Sequence, residues 1–132
     1  MDYISKNHSK YLILVHLIFV CKYRKPLLTI FGEQIKGIMF EIAEEKDMEI
    51  IEMEVDRDHI HLLVYRPTQS ILDVVRLLKQ ISTYRIWRVT GNDRRLRKEF
   101  WKEKTFWSDG YFACSIGNVS KETIEKYIRN QG

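Results

Sequence analysis

Residues 11–20, Tyr-Leu-Ile-Leu-Val-His-Leu-Ile-Phe-Val, are the most constraining stretch of this 132-residue chain. The run is almost wholly apolar, as expected of a central β-strand covered on both faces. It is about half the length a membrane span requires, and His16 interrupts it. A strand of this kind needs neighbours on either side, so the fold must contain a sheet with this segment near its middle. The N-terminus lacks a signal-peptide cleavage pattern, and the expected location is the cytoplasm.

The remaining elements follow from period and punctuation. Pro26 ends the first strand, after the basic exit Cys21-Lys22-Tyr23-Arg24. Ile35, Ile38, Met39 and Ile42 recur at helical spacing and predict a helix over roughly 31–46. Residues 48–55 read as a strand, with Ile50 opposed by Ile51 and acids at 49, 52 and 54. Arg57-Asp58 turns into a third strand, Asp58-His59-Ile60-His61-Leu62-Leu63-Val64, making a hairpin. Ser70 caps a second helix with Asp73 as its capping-box partner. Ile71, Val74, Val75, Leu78 and Ile81 form the inward stripe of that helix, while Arg76 and Lys79 face out. Gly91-Asn92 breaks it before a short basic segment, and glycines bound a last strand over 110–117. Ser120 caps a final helix. The order β-α-β-β-α-(α)-β-α is that of an α+β, ferredoxin-like (RRM-like) antiparallel sheet in a single domain over 1–132. Helices cover one face, and an extra helix follows at the C-terminus. Strands one and three are adjacent in this topology, and they carry His16, His59 and His61.

A hydrophobic fraction of 45% and an aromatic fraction of 12% suit a globular domain. Cys21 and Cys114 are too few and too distant for a disulfide framework, and reduced thiols are the simpler reading. Charge is unevenly distributed. Residues 33–58 hold ten acids and three bases, a formal −7, whereas residues 76–104 hold ten bases and three acids, a formal +7. A segregated positive field suits a polyanion. Trp87, Phe100, Trp101, Phe106 and Trp107 lie among those bases, where aromatics either stack single-stranded bases or fill the core. The candidate nucleic-acid contacts are Lys22, Arg24, Arg76, Lys79, Arg85 and Arg88.

His59 and His61 point to one face of their strand, about 6.5–7 Å apart along it, close enough to hold one ion or phosphate. The same spacing also fits two half-buried histidines in an ordinary strand. On the final helix Tyr127 and Gln131 stand one turn apart. A phenol oxygen can be a covalent nucleophile, and a glutamine carbonyl can ligate a hard cation. Tyr127 also fits the edge of an amphipathic helix that Ile124 and Ile128 bury.

Together these motifs resemble the HUH superfamily of single-strand endonucleases. More narrowly, they resemble the single-tyrosine transposases of small hairpin-ended insertion sequences. The likeness runs through His16, Lys22-Tyr23-Arg24, Glu52-Met53 and Asp58-His59-Ile60-His61. It continues through Trp107-Ser108, Gly110-Tyr111-Phe112, Ser115-Ile116-Gly117-Asn118-Val119 and Tyr127-Ile128-Arg129-Asn130-Gln131. The resemblance implies that His59, His61 and Gln131 ligate a divalent metal, Mg²⁺ or Mn²⁺, and that Tyr127 is the nucleophile. It further implies a 5′-phosphotyrosine intermediate, single-stranded DNA with hairpin ends as substrate, and a homodimer in which the tyrosine helix can serve the other subunit. The chain departs from its relatives at Lys79-Gln80-Ile81-Ser82, which lacks the glycine of their Lys-Gly. Imidazole ligands by themselves favour a transition metal over Mg²⁺. Two other readings remain open: a non-catalytic nucleic-acid-binding module, and a small metallohydrolase built on His16, His59 and His61.

Overall fold

The computed structural model describes residues 13–65, 70–91, 93–100 and 103–117. The apolar run becomes strand β1, Ile13–Val20. A 3-10 turn, Lys22–Arg24, leads into helix α1, Leu27–Glu45. Strands β2 (Glu49–Val55) and β3 (His59–Tyr65) form the hairpin. Helix α2 spans Ile71–Val89, a short α3 spans Arg94–Glu99, and β4 is Phe112–Gly117. The sheet order is β2-β3-β1-β4 with every pair antiparallel, so β1 and β3 are central neighbours as expected. The helix predicted after 120 lies outside the described residues.

Helix α1 begins four residues before the sequence boundary. Pro26 sits at its N-cap, where the missing N–H costs no intrahelical bond, and Leu27, Leu28 and Phe31 bury the first turns. Ser70 caps α2 by accepting the Asp73 backbone N–H at 3.1 Å. Both helices pack on the sheet face that carries Val15, Leu17, Phe19, Ile60, Leu62 and Val64. Among the described residues, no helix is long and apolar enough to cross a membrane.

Two details of β2 and the core depart from simple patterning. The acids at 49, 52 and 54 do not share one strand parity. A register shift between Ile50 and Glu52 resolves this, pairing Glu49 with Tyr65, Glu52 with Leu63 and Glu54 with His61. The bulge therefore turns all three carboxylates to the face opposite the helices, while Ile50, Met53 and Val55 go to the core. The aromatics among the bases divide in favour of the core: Trp87, Phe100, Phe106 and Trp107 are buried. Both indole N–H groups find acceptors, Trp87 on the Thr105 carbonyl at 2.8 Å and Trp107 on Ser82 Oγ at 2.9 Å. Trp101 lies outside the described residues.

Candidate metal and DNA site

The sheet face opposite α1 and α2 gathers the histidines. Strand pairing places His59 opposite Val20, His61 opposite Ile18, and His16 opposite Leu63 and Cys114. His16 thus sits diagonally from His61, within reach of a ring-to-ring contact. The two rings are near-parallel, with planes 24° apart and centroids 5.6 Å apart, and His16 Nε2 lies 3.4 Å from His61 Nδ1. The His59 and His61 rings meet edge to face at 4.8 Å. The Phe112 ring on β4 lies 6.1 Å from that of His16, centroid to centroid, with the planes 73° apart.

The other partner was not apparent from the spacing of the histidines. Asp58 Oδ1 lies 2.8 Å from His59 Nδ1, and Arg24 Nε donates to Asp58 Oδ2 at 3.4 Å. The hydrogen bond from His59, followed by that from Arg24, holds the Asp58 carboxyl below the usual carboxylate range. Asp58 is held in place because its backbone carbonyl accepts the Cys21 N–H at 2.8 Å, tying the turn to the end of β1. An aspartate immediately ahead of a strand-borne histidine was the available signal for this role. Burial lowers the pKa of His61, and His59 lowers it further, while Glu54 and Asp56 oppose the shift. Burial likewise lowers that of His16, with His61 adding to the effect.

With Nδ1 of His59 turned to Asp58 and Nδ1 of His61 turned to His16, Nε2 is the ring nitrogen each ligand candidate could offer a cation. A carboxylate or other acceptor behind a metal-binding histidine fixes its tautomer and ring orientation. Asp56 Oδ2 lies 3.9 Å from His59 Nε2, and Glu54 stands across the ladder from His61, so the local field favours positive charge. His59 and His61 thus supply two imidazole donors of the kind a divalent cation takes. Among the described residues no three histidines, cysteines or acids form a complete metal cage. Gln131, the third ligand that the family pattern implies, and Tyr127, the nucleophile it implies, both lie outside the described residues.

The six candidate DNA-binding cations are placed differently from one another. Arg85 is held by Glu45 through two bonds of 2.9 and 2.6 Å, joining α2 to α1, with Glu41 at 3.6 Å. Lys79 was expected to face out. Instead it is half-buried, and its ammonium donates to the carbonyls of Ser108, Asp109 and Gly110 at 2.6, 3.1 and 3.2 Å. Lys22 approaches Asp109 at 3.6 Å, and Arg24 pairs with Asp58. Arg76 and Arg88 are exposed on α2 and make no ion pair among the described residues. Arg76 lines a cavity of about 470 Å³ with Lys79, Trp107 and Tyr111. Arg88 lines a second cavity, of about 420 Å³, with Tyr84, Trp87 and Lys104. Gln80 and Thr83 line both cavities, so together they make a trough along α2.

An antiparallel α+β sheet with helices on one face and clustered histidines and acids on the other defines a ferredoxin-like domain with a candidate cation site. The chain belongs to the IS200-like transposase family, whose model matches residues 9–131. It is 32% identical over 123 residues to the ISDra2 transposase TnpA of Deinococcus radiodurans, covering 92% of this chain and 85% of that protein. It is 29% identical to the IS200 transposase of Salmonella typhimurium, over 96% of this chain and 82% of that one. Among solved structures, a Deinococcus radiodurans protein assigned as a transposase superposes with a TM-score of 0.68 at 29% identity, over 89% of both chains. A REP-associated tyrosine transposase bound to a REP hairpin shares the fold, with a TM-score of 0.59 at 14% identity over 87% of this chain and 61% of that one.

Proposed function

We propose that this transposase cleaves and rejoins single-stranded DNA through a covalent 5′-phosphotyrosine on Tyr127, at a divalent-metal site formed by His59, His61 and Gln131. The observation that carries the reading is the arrangement of His59 and His61. They share one sheet face, each has Nδ1 turned to a neighbour, and Nε2 is the ring nitrogen each could give a ligand. A bound Mg²⁺ or Mn²⁺ would polarise the scissile phosphate. In the step itself Tyr127 Oη bonds to phosphorus as the bond to the 3′ oxygen breaks. The phenol proton passes, in net terms, to the departing 3′-OH. A second 3′-OH then reverses the exchange, so the phosphodiester is conserved without ATP. Glu54 and Asp56 favour the cation, and Asp58 holds His59. Arg76 and Arg88, beside the exposed Tyr84 and Tyr111, suit backbone and base contacts to single strands. The substrate is read as hairpin-ended single-stranded DNA, and the working unit as a homodimer.

The metallohydrolase reading requires His16 as a third ligand, but its Nε2 is directed at His61 Nδ1 rather than at a shared point with both Nε2 atoms. A labelled hairpin-containing single strand incubated with Mn²⁺ should give a denaturation-resistant adduct that disappears in both Tyr127→Phe and His61→Ala. Cleavage surviving Tyr127→Phe would support hydrolysis instead. Binding without cleavage would support a non-catalytic module.

A further inference from the structure

We propose that His16 is a positioning residue for the cation site: its Nε2 accepts the Nδ1–H of His61 and so holds the Nε2 lone pair of His61 toward the metal. The inference rests on the metal reading given above and adds a residue to it.

His16 is the polar interruption in the run that becomes β1, and only 3% of it is exposed. Burying an imidazole is costly unless its nitrogens are hydrogen-bonded. An aliphatic residue at position 16 would satisfy a central strand equally well, so the interruption calls for a reason. The register supplies one, because the diagonal across the β1–β3 ladder brings His16 Nε2 to 3.4 Å from His61 Nδ1. The near-parallel approach of the His61 ring from β3 and the Phe112 ring of β4, 6.1 Å away and 73° to the His16 plane, bracket His16 from its two neighbouring strands.

One proton lies between the two nitrogens, and its owner decides what His61 can do. If His16 donates, neutral His61 carries its proton on Nε2 and cannot ligate through that atom. If His61 donates, its Nε2 carries a lone pair that a cation can take. His59 has the corresponding arrangement with Asp58, which as a carboxylate can only accept. The two ligand candidates are thus oriented by different acceptors, one charged and at the edge, the other neutral and buried.

The test uses the whole protein. Long-range ¹⁵N–¹H correlation spectra of the metal-free form should show His61 protonated at Nδ1 and His16 with an unprotonated Nε2. His61 found protonated at Nε2 would overturn the proposal without any variant. His16→Phe keeps the ring volume and removes the acceptor; it should weaken Mn²⁺ binding, followed by electron paramagnetic resonance, about 10- to 100-fold. His16→Gln, whose amide oxygen reaches the place of Nε2, should restore most of the affinity. His16→Asn, which reaches only the place of Nδ1, should not. Unchanged Mn²⁺ affinity in His16→Phe, or equal behaviour of Gln and Asn, would overturn the role of His16 and leave the metal reading standing. A wild-type protein that binds no Mn²⁺ would overturn the metal reading itself, and the assigned task of His16 with it.

Discussion

Asp58→Asn alters the orienting partner of His59 at almost constant volume, and its effect can be worked from the geometry. At 2.8 Å the bond between His59 Nδ1 and the Asp58 carboxylate is charge-assisted, a class worth about 1.5–3 kcal/mol. An asparagine oxygen in the same place is a neutral acceptor, worth about 0.5–1.5 kcal/mol. The difference of about 1–1.5 kcal/mol should appear as a roughly 5- to 13-fold weaker Mn²⁺ affinity. Asp58→Ala, which leaves no acceptor, should lose about 10- to 100-fold. The fold should tolerate both changes, because the contact that anchors this turn uses the Asp58 backbone carbonyl. Manganese titrations followed by electron paramagnetic resonance, with thermal melts of the metal-free variants alongside, make the measurement. Mn²⁺ affinity within twofold of wild type in Asp58→Ala would refute the reasoning, since His59 would then need no orienting acceptor.

The other expectations concern pH, DNA contacts and helix propensity. Only neutral imidazole ligates, and burial holds His61 below its usual 6.5. Mn²⁺ affinity should therefore persist to lower pH than an exposed histidine pair would allow, and fall as pH drops through the depressed value. The same sign applies to stability: the contribution of neutral His16 and His61 is complete above 6.5 and is lost as pH falls through their lowered folded values. Melts across about pH 5–8 check this, and stability rising on acidification would contradict it. Arg76→Ala and Arg88→Ala should each weaken single-strand binding and flatten its log–log salt dependence by about 0.7. Arg85→Ala, already paired with Glu45, should change the slope less. Gly37 is exposed on α1 with nothing within 4 Å of a built Cβ. Gly37→Ala should add about 1 kcal/mol and raise Tm by roughly 2–6 °C; a lower Tm would show an unrecognised need for glycine there.

Local rules explain why the element order and sheet topology were readable from the chain. A two-sided apolar run, a hairpin turn, a Ser70 cap and bounding glycines each point to one structure. The departures come from tertiary context that no window contains. Helix α1 starts at Leu27 because the first turn has core to bury, which outweighs the expectation that the helix starts later than Pro26. The parity of the acids on β2 becomes intelligible only with the bulge at Ile51. Trp87 and Trp107 resemble base-stacking residues in sequence, but each indole N–H has an internal acceptor. Lys79 carries the charge of a DNA contact, yet it closes a loop through three carbonyls that lie some thirty residues away. At the candidate site, period two alone places His59 and His61 on one face. The roles of Asp58 and His16 need distances. Tyr127 and Gln131 rest on the family pattern, to which the structure adds the face they would have to reach.

The central claim is that Tyr127 carries the DNA. Peptide mapping of the adduct by mass spectrometry tests it most directly, because Tyr23, Tyr84 and Tyr111 are all exposed and could each be modified by a nonspecific reaction. The account predicts a 5′-phosphonucleotide on the peptide containing Tyr127 and on no other, dependent on Mn²⁺ or Mg²⁺. A nucleotide on another tyrosine, or cleavage products with unmodified Tyr127 at every time point, would contradict it.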